Sequence, residues 1–467
     1  MFTIVKQSDL DYNCSSEKDV FIMKIFNSYT NQLETFVPTH EGVISMYICG
    51  PTVYNYIHIG NARPVVVFDT VRRYFESLDY VVKFVSNLTD VDDKIIQKAK
   101  EEGVAELTIS QKYITAFLTD VASLNSRTDY LKPKVTDYMP KIIHYIQDLI
   151  DIGYAYEIEG DVYFRVSKLK EYGKLSNRKL DELISGARVE INEKKESPLD
   201  FTLWKKTEEG IQWHADFSDG RPGWHTECVA MIDDIFGEQI DIHGGGTDLM
   251  FPHHENEIAQ CLAKNHHSVA KYWMHNGRLN LEGEKMSKSL GNGVLVKDLD
   301  VNKLAFRMFL LSTQYRSPMN YRQEALDVFV KEWAKTQKSV EQLYRLLDVN
   351  NQLEENKLVS SMDLLEIKTY FKEAMDNDFN TPNALTALNQ LMKAINQKLR
   401  HKPDFDWLNQ SLKLVNEILF VLGLDFPLLK LPEEDKALIK AWENARVNKD
   451  FALADQLRMQ LVSKGLM

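Results

Sequence analysis

The spacing of apolar residues changes several times in the first hundred positions, and each change predicts an element. "GVISMYICG", residues 42–50, is a short apolar run closed by Gly50, the pattern of a buried strand. "ARPVVVFDTVRRYFESL" places apolar residues at helical spacing, with Arg72 and Arg73 expected on the other face. "YVVKFVSNLT" is β-branched and strand-like, and "DVDDKIIQKAKEEG" is an acid-started helix with a C-cap signal at Gly103. Strand, helix, strand at this spacing is a βαβ unit, which implies a parallel sheet with a right-handed crossover.

The pattern loosens from about 109 to 223, through "GDVYFRV" and the charged "NEKKESP", and this stretch is expected to be an insertion. A second alternating region follows. "FGEQIDIHGGGTDL" predicts a strand and then a glycine loop, "HHENEIAQCLAKN" a helix, and another helix starts near Lys303. Beyond Tyr321 nearly everything is amphipathic helix. "NTPNALTALNQLMKAINQKL" has a clear start, with Thr381 expected at the N-cap and Pro382 at N1. The expected organisation is an extension over 1–22, an α/β catalytic domain over 23–320 with the insertion, and a helical bundle over 321–467.

Composition narrows the class. A chain of 467 residues needs more than one core. No apolar run approaches a membrane span, and the first residues lack a secretory signal pattern. Four cysteines fit a reducing compartment, so a cytoplasmic location is expected. The net charge of −12 argues against wholesale nucleic-acid binding, but it is uneven. Residues 1–300 hold 33 Lys+Arg against 46 Asp+Glu, and residues 301–467 hold 23 against 22. A phosphate-rich partner would therefore meet local basic patches in the last third.

Two short motifs carry chemistry. At "HIGN", residues 58–61, a strand turns into a helix N-terminus, where unpaired N–H groups and the dipole favour phosphate. The bland alternative is a surface cap. In "GEKMSKSLGN", residues 283–292, Lys285 and Lys288 sit between glycines in a loop that is either a solvated turn or a clamp on pyrophosphate charge. Together the motifs resemble the class I aminoacyl-tRNA synthetase signatures, His-Ile-Gly-His and Lys-Met-Ser-Lys-Ser. The second is matched in full at Lys285–Ser289, and the first departs at Asn61. "YICGPTVYNYIHIGNAR", "NLTDVDDKII", "GRPGWHTECVAM", "DIHGGGTDLMFPHHENEIAQ" and "MDNDFNTPNAL" are similar, more narrowly, to the cysteinyl-tRNA synthetase family. That family's usual Gly-Thr-x-Trp-Arg tail is not matched before Met467.

The resemblance implies a Rossmann-type doubly wound catalytic domain that activates L-cysteine with ATP and Mg2+ and charges cysteine tRNA. Within "FPHHENEIA" only His253 and Glu257 have the four-residue spacing that puts a histidine and a glutamate on one helix face. With Cys49 and Cys228 they make a two-thiolate, imidazole and carboxylate set for one Zn2+, at positions that bind zinc in the family. Cys261 lies ~12 Å further along that helix and is expected in the core. Cys14 falls in the extension, and His225 is a reserve ligand. A metal that prefers soft thiolate would separate cysteine from serine, which an apolar pocket separates poorly.

His58, Gly60, Asn61, Gly244 and Lys288 are expected to bind ATP, with His58, Asn61, Lys285 and Lys288 catalytic. Gly50, Thr89, Trp224 and Asp248 match family positions that hold the amino acid. A monomer is expected. Two rivals are a mycothiol-pathway ligase joining cysteine to an amino sugar, and a non-catalytic tRNA- or zinc-binding module. The long helical region and the intact lysine loop argue against each in turn.

Overall fold

The computed structural model describes residues 23–178, 194–281, 284–285, 293–354 and 357–466. A hairpin of β1 (Lys24–Asn27) and β2 (Gln32–Thr35) precedes the buried strand β3 (Val43–Ile48). Helix α1 (Ile59–Ser77) crosses over to β4 (Val81–Ser86), which pairs parallel to β3. Helix α2 (Asp93–Glu102) ends at Gly103, whose φ of 66° makes the left-handed cap. The long α3 (Glu106–Ser123) and α4 (Val135–Asp151) follow. Next come β5 (Ala155–Ile158), β6 (Asp161–Phe164), β7 (Phe201–Lys206) and β8 (Gly220–Pro222), an antiparallel sheet in chain order.

The chain then returns to the first sheet through α5 (Trp224–Phe236), β9 (Ile240–Gly246), α6 (Glu255–Asn265) and β10 (Ala270–Asn276). The parallel order is β10-β9-β3-β4. The path leaves β3 toward β4 on one side and comes back to β9 on the other. That makes the gap between β3 and β9 the topological switch point, where ligands of such sheets bind. The predicted glycine loop is strand instead. Gly244–Gly246 stay in β9, paired with Met274–Asn276, because close packing on both faces replaces the side chains that glycine lacks.

A small sheet of β11 (Leu279–Leu281), β12 (Glu284–Lys285) and β13 (Met319–Tyr321), with α7 (Lys303–Leu311) between the last two, joins the sheet to the helices. These are α8 (Gln323–Val349), α9 (Met362–Asp376), α10 (Thr381–Lys398), α11 (Phe405–Leu422), α12 (Glu433–Val447) and α13 (Phe451–Ser463). The cap of α10 is Asn380, whose side chain accepts from Asn383 N, one residue before the expected Thr381. Thr381 instead donates to Leu311 O at 2.7 Å, tying α10 to α7. No helix among the described residues is long and apolar enough to cross a membrane.

Two cores result. One lies under the insertion and includes Tyr47, Ile146, Trp204, Ile258 and Trp273. The other runs without a break from Met46, Phe68 and Phe75 through Phe306 and Trp333 to Leu391 and Val415, so the sheet and α8–α11 share it. Arg72 and Arg73 are buried, not on a solvated face. Arg73 bonds Asp69, Asp425 and the Phe420 and Asn125 carbonyls. Arg307 of α7 places all five N–H groups on Leu422 O, Leu124 O, Ser126 Oγ, Asp69 Oδ2 and Thr70 Oγ1, at 2.6–3.1 Å. Both guanidiniums meet the C-terminal carbonyls of α11, where the helix dipole favours cations.

Candidate metal centre and active-site cleft

Cys49 follows the last residue of β3 at the switch point, its N–H held by Gly244 O at 3.1 Å. Its sulfur is 3.6 Å from Cys228 Sγ, 3.4 Å from His253 Nε2 and 3.4 Å from Glu257 Oε1. His253 Nε2 and Glu257 Oε1 are 2.9 Å apart across one turn. Ligands at roughly 2.0–2.3 Å from a tetrahedral zinc are about 3.3–3.8 Å from each other, so the sulfur edges fit and the His–Glu edge is somewhat short. The four residues expected to hold metal are therefore brought together.

Two more histidines join them. His243 of β9 sits with Nε2 2.6 Å from Glu257 Oε2 and 3.7 Å from Cys49 Sγ, and its Nδ1 is 2.8 Å from Tyr47 O. His254 also presents a ring nitrogen to the group of Cys49, His253 and Glu257, all within 4.8 Å of one another. Its Nδ1 meets His275 Nε2 at 2.8 Å, while its buried Nε2 has no partner. Cys228, 3.6 Å from Cys49 Sγ, is not one of that group of four, whose fourth member is His254. Sequence reasoning missed both histidines. His243 joins the cluster only through the register of β9 with β3, which pairs it with Tyr47, two residues before Cys49. His254 escaped because the wide turn Met250–His254 breaks the helical spacing on which it was excluded.

The electrostatics prepare the donors. Burial pushes the Cys49 thiol well up, whereas the hydrogen bond with Cys49 brings the Cys228 thiol down to about 6. Burial would raise Glu257, but His243 and His253 on either side hold it well below the ordinary carboxylate range. Burial would lower His253, but Glu257 lifts it to about 10, whereas burial drives His225 down to about 3. His225 Nδ1 lies 3.1 Å from His253 Nδ1, so it backs that ring without joining the donors. Cys261 is buried elsewhere, 3.8 Å from His267 Nδ1. Cys14 lies outside the described residues.

The donors open into a cleft of about 560 Å3, lined near them by Cys49, Gly50, Trp224 and Asp248 and further out by His58, Gly60 and Asn61. Gly50 is required there, because a Cβ would stand 1.7 Å from Asn87 O. Trp224 stacks on His253 with ring centroids 4.3 Å apart. Thr89 is not on the cleft wall. It is buried, and its hydroxyl donates to Glu227 at 3.0 Å. The missing Cβ of Gly244 makes room for the Phe68 ring, so that glycine faces α1, while Gly246 faces the cleft.

His58 caps α1 in a reciprocal box: its Nδ1 accepts from Asn61 N and Asn61 Oδ1 accepts from His58 N, both at 3.3 Å. Strand-like bonds from Ile59 N to Val294 O and from Val296 N to Ile57 O clamp the chain that follows the lysine loop against this helix start. Lys285 belongs to β12, paired with Asn280, and Lys288 lies outside the described residues.

Many known proteins are similar to this chain. The family described as tRNA synthetases class I (C) catalytic domain matches residues 35–331, and the DALR domain matches residues 370–427. A cysteine–tRNA ligase of Bacillus velezensis is 46% identical over 447 residues, covering 95% of this chain and 96% of the relative. The Acholeplasma laidlawii cysteine–tRNA ligase is 43% identical over 95% of this chain and all of its own length. Among solved structures, Mycobacterium tuberculosis methionyl-tRNA synthetase with methionyl-adenylate matches at TM-score 0.58 and 15% identity, over 81% of this chain and 89% of that one. A LeuRS–tRNA–LeuAMS complex from Agrobacterium radiobacter K84 matches at 0.59 and 10%, over 83% and 85%. At such identities the structures share the fold alone.

Proposed function

The chain belongs to the cysteine–tRNA ligase family of class I synthetases, and from that premise we propose the roles of its residues. It joins cysteine to tRNA at the expense of ATP. Cys49, Cys228, His253 and Glu257 would hold one zinc ion, with His243 fixing Glu257 from behind. When bound, that ion favours the soft sulfur of cysteine over a serine hydroxyl. The alternative product, a cysteine–amino-sugar conjugate, has no feature in its favour here.

In the first step the cysteine carboxylate attacks the α-phosphorus of ATP, carried with Mg2+. The bond to the bridging oxygen breaks, and pyrophosphate leaves. His58, with the first-turn N–H groups of α1, faces the developing charge on the α-phosphate. Asn61 holds His58 in place through the capping box, and Lys285 and Lys288 supply positive charge for the leaving pyrophosphate. In the second step a terminal ribose hydroxyl of the tRNA attacks the adenylate carbonyl and AMP departs. Positioning and charge carry both steps, and no protein side chain becomes covalently bonded.

One observation carries the assignment: Cys49, the sulfur at the centre of the donor cluster, and the His58 helix start line the same cleft. The test is cysteine-dependent ATP–pyrophosphate exchange, followed by charging of cysteine tRNA. Exchange with cysteine and none with serine is expected. Activation without charging of any cysteine tRNA would overturn the reading.

A further inference from the structure

The loop that leaves β3 carries Cys49 and Gly50, and α5 carries Trp224, Glu227 and Cys228. Between them lies the short segment that follows β4, in which Asn87 and Thr89 are buried. Backbone bonds already tie this segment to the loop: Val53 N donates to Thr89 O at 3.1 Å, and Thr89 N donates to Pro51 O at 3.2 Å.

A line of side-chain hydrogen bonds continues from the loop to the helix. The Gly50 N–H donates to Asn87 Oδ1 at 2.8 Å, Asn87 Nδ2 donates to Thr89 Oγ1 at 3.3 Å, and the Thr89 hydroxyl donates to Glu227 Oε2 at 3.0 Å. One group sets the direction of the whole line. A backbone N–H can only donate, so Asn87 must turn its oxygen to Gly50 and its amide nitrogen to Thr89. The threonine oxygen then accepts on one side, and its single hydrogen is left for Glu227. The line begins at the residue after Cys49 and ends at the residue before Cys228, and the two sulfurs lie 3.6 Å apart. Stability alone does not account for it. A carboxyl at 3% exposure with a hydroxyl for a partner is costly, and an apolar pair of the same shape would fill the space without that cost. Asn87, Thr89 and Glu227 do not line the cleft, so they act on it through their neighbours Gly50 and Cys228.

We propose that Asn87, Thr89 and Glu227 are positioning residues for the thiol-selective end of the cleft. They fix the corner at Cys49 and Gly50 against the first turn of α5, and so set the spacing of the two thiols and the seat of Trp224. The proposal rests on the cysteine-activating, zinc-holding reading of the site and deepens it. The phosphate end of the cleft, at His58, is built by other contacts. The line therefore governs which amino acid is held and how firmly, and leaves ATP binding alone.

The test uses the full chain with Asn87→Asp, Thr89→Val and Thr89→Ser. Asn87→Asp keeps an acceptor for Gly50 but turns a second acceptor toward Thr89, whose hydrogen is then drawn away from Glu227. Thr89→Val removes the hydroxyl at nearly constant shape. In pyrophosphate exchange each should raise the KM for cysteine about tenfold and lower the preference for cysteine over serine, with the KM for ATP unchanged. Zinc should also pass to a competing chromogenic chelator about tenfold sooner from both variants, a readout independent of activity. Thr89→Ser, which keeps the hydroxyl, should recover most of both losses. Unaltered cysteine KM and zinc release in Asn87→Asp, with Thr89→Val impaired, would make Thr89 act by itself and overturn the line. A rise in both KM values would reduce the role to folding and overturn it as well. Absence of cysteine-dependent exchange in the unaltered chain is a different result: it would remove the activity, and zinc release would still decide the line.

Discussion

Cys49 is the residue on which the cleft turns, because one sulfur touches a thiol, an imidazole and a carboxylate while its backbone is tied into the sheet. Full-length protein is expected to carry one zinc per chain by elemental analysis. Cys49→Ser and Glu257→Gln should lower that content, since a neutral hydroxyl or amide ligates zinc poorly at pH 7. Cys261→Ser should leave it intact, and zinc lost there would misplace the centre. His254→Gln separates the two donor sets, and retained metal is the expected result. Asp120 offers a test away from the site. It is buried in α3 with Oδ2 unpaired, and burial lifts its carboxyl to about 6, against the pull of Lys303 and Lys297. A folded-state value above the ordinary ~3.9 means that ionisation opposes folding above about pH 6, and that the penalty fades as pH falls toward 4. Asp120→Asn should therefore raise stability by about 1 kcal/mol at pH 7.5, after allowing for screening, and by nothing at pH 4. Melting curves across that range decide it.

At the scale of elements, α1 matters most, because its first turn is both a cap and the proposed phosphate site. Asn61→Ala removes half of the reciprocal cap and should cost about 0.5–1 kcal/mol in a thermal melt. It should also slow pyrophosphate exchange, because His58 loses the partner that fixes it. Asn61→Asp, which can still accept from His58 N, should keep the stability. An exchange rate untouched by Asn61→Ala would separate cap from catalysis.

Much of this scale was legible from the chain. The βαβ start and the α2 cap follow from periodicity and glycine placement, and His253 with Glu257 from simple helical spacing. What escaped depended on distant partners. Glycine disfavours strands on its own, so only the fit of Phe68 against Gly244 explains why β9 continues. Arg72 and Arg73 look like a solvated pair until Glu76 and Asp129 meet the first, and Asp69, Asp425 and the end of α11 meet the second. His243 reaches Glu257 only once two strands and a helix have met.

Across the whole molecule the sheet and helices α8–α11 behave as one body. Cutting after Arg322 would strip half of a shared core and expose two buried guanidiniums, so that fragment should lose exchange as well as charging. Removing only residues 429–467 leaves that core and the Arg73–Asp425 contact in place, and it should spare exchange while weakening charging. Paired assays on the two truncations distinguish a shared core from two independent ones. Gly423→Ala probes the same joint. With φ at +63° and a Cβ that would stand 2.2 Å from the Arg307 guanidinium, it should cost about 2–4 kcal/mol, read by denaturant unfolding.

The hairpin of α12 and α13 is held differently. It touches the rest through Val349, Ile439 and Leu461, the Lys436–Asp348 pair, and a bond from Arg345 to Leu466 O. So light an attachment has an evolutionary consequence. Substitutions in that hairpin scarcely alter the energy of the catalytic fold, so its surface can change without disturbing the cleft. Helices α1, α7 and α11, locked around Asp69 through Arg73 and Arg307, must by contrast change together or not at all.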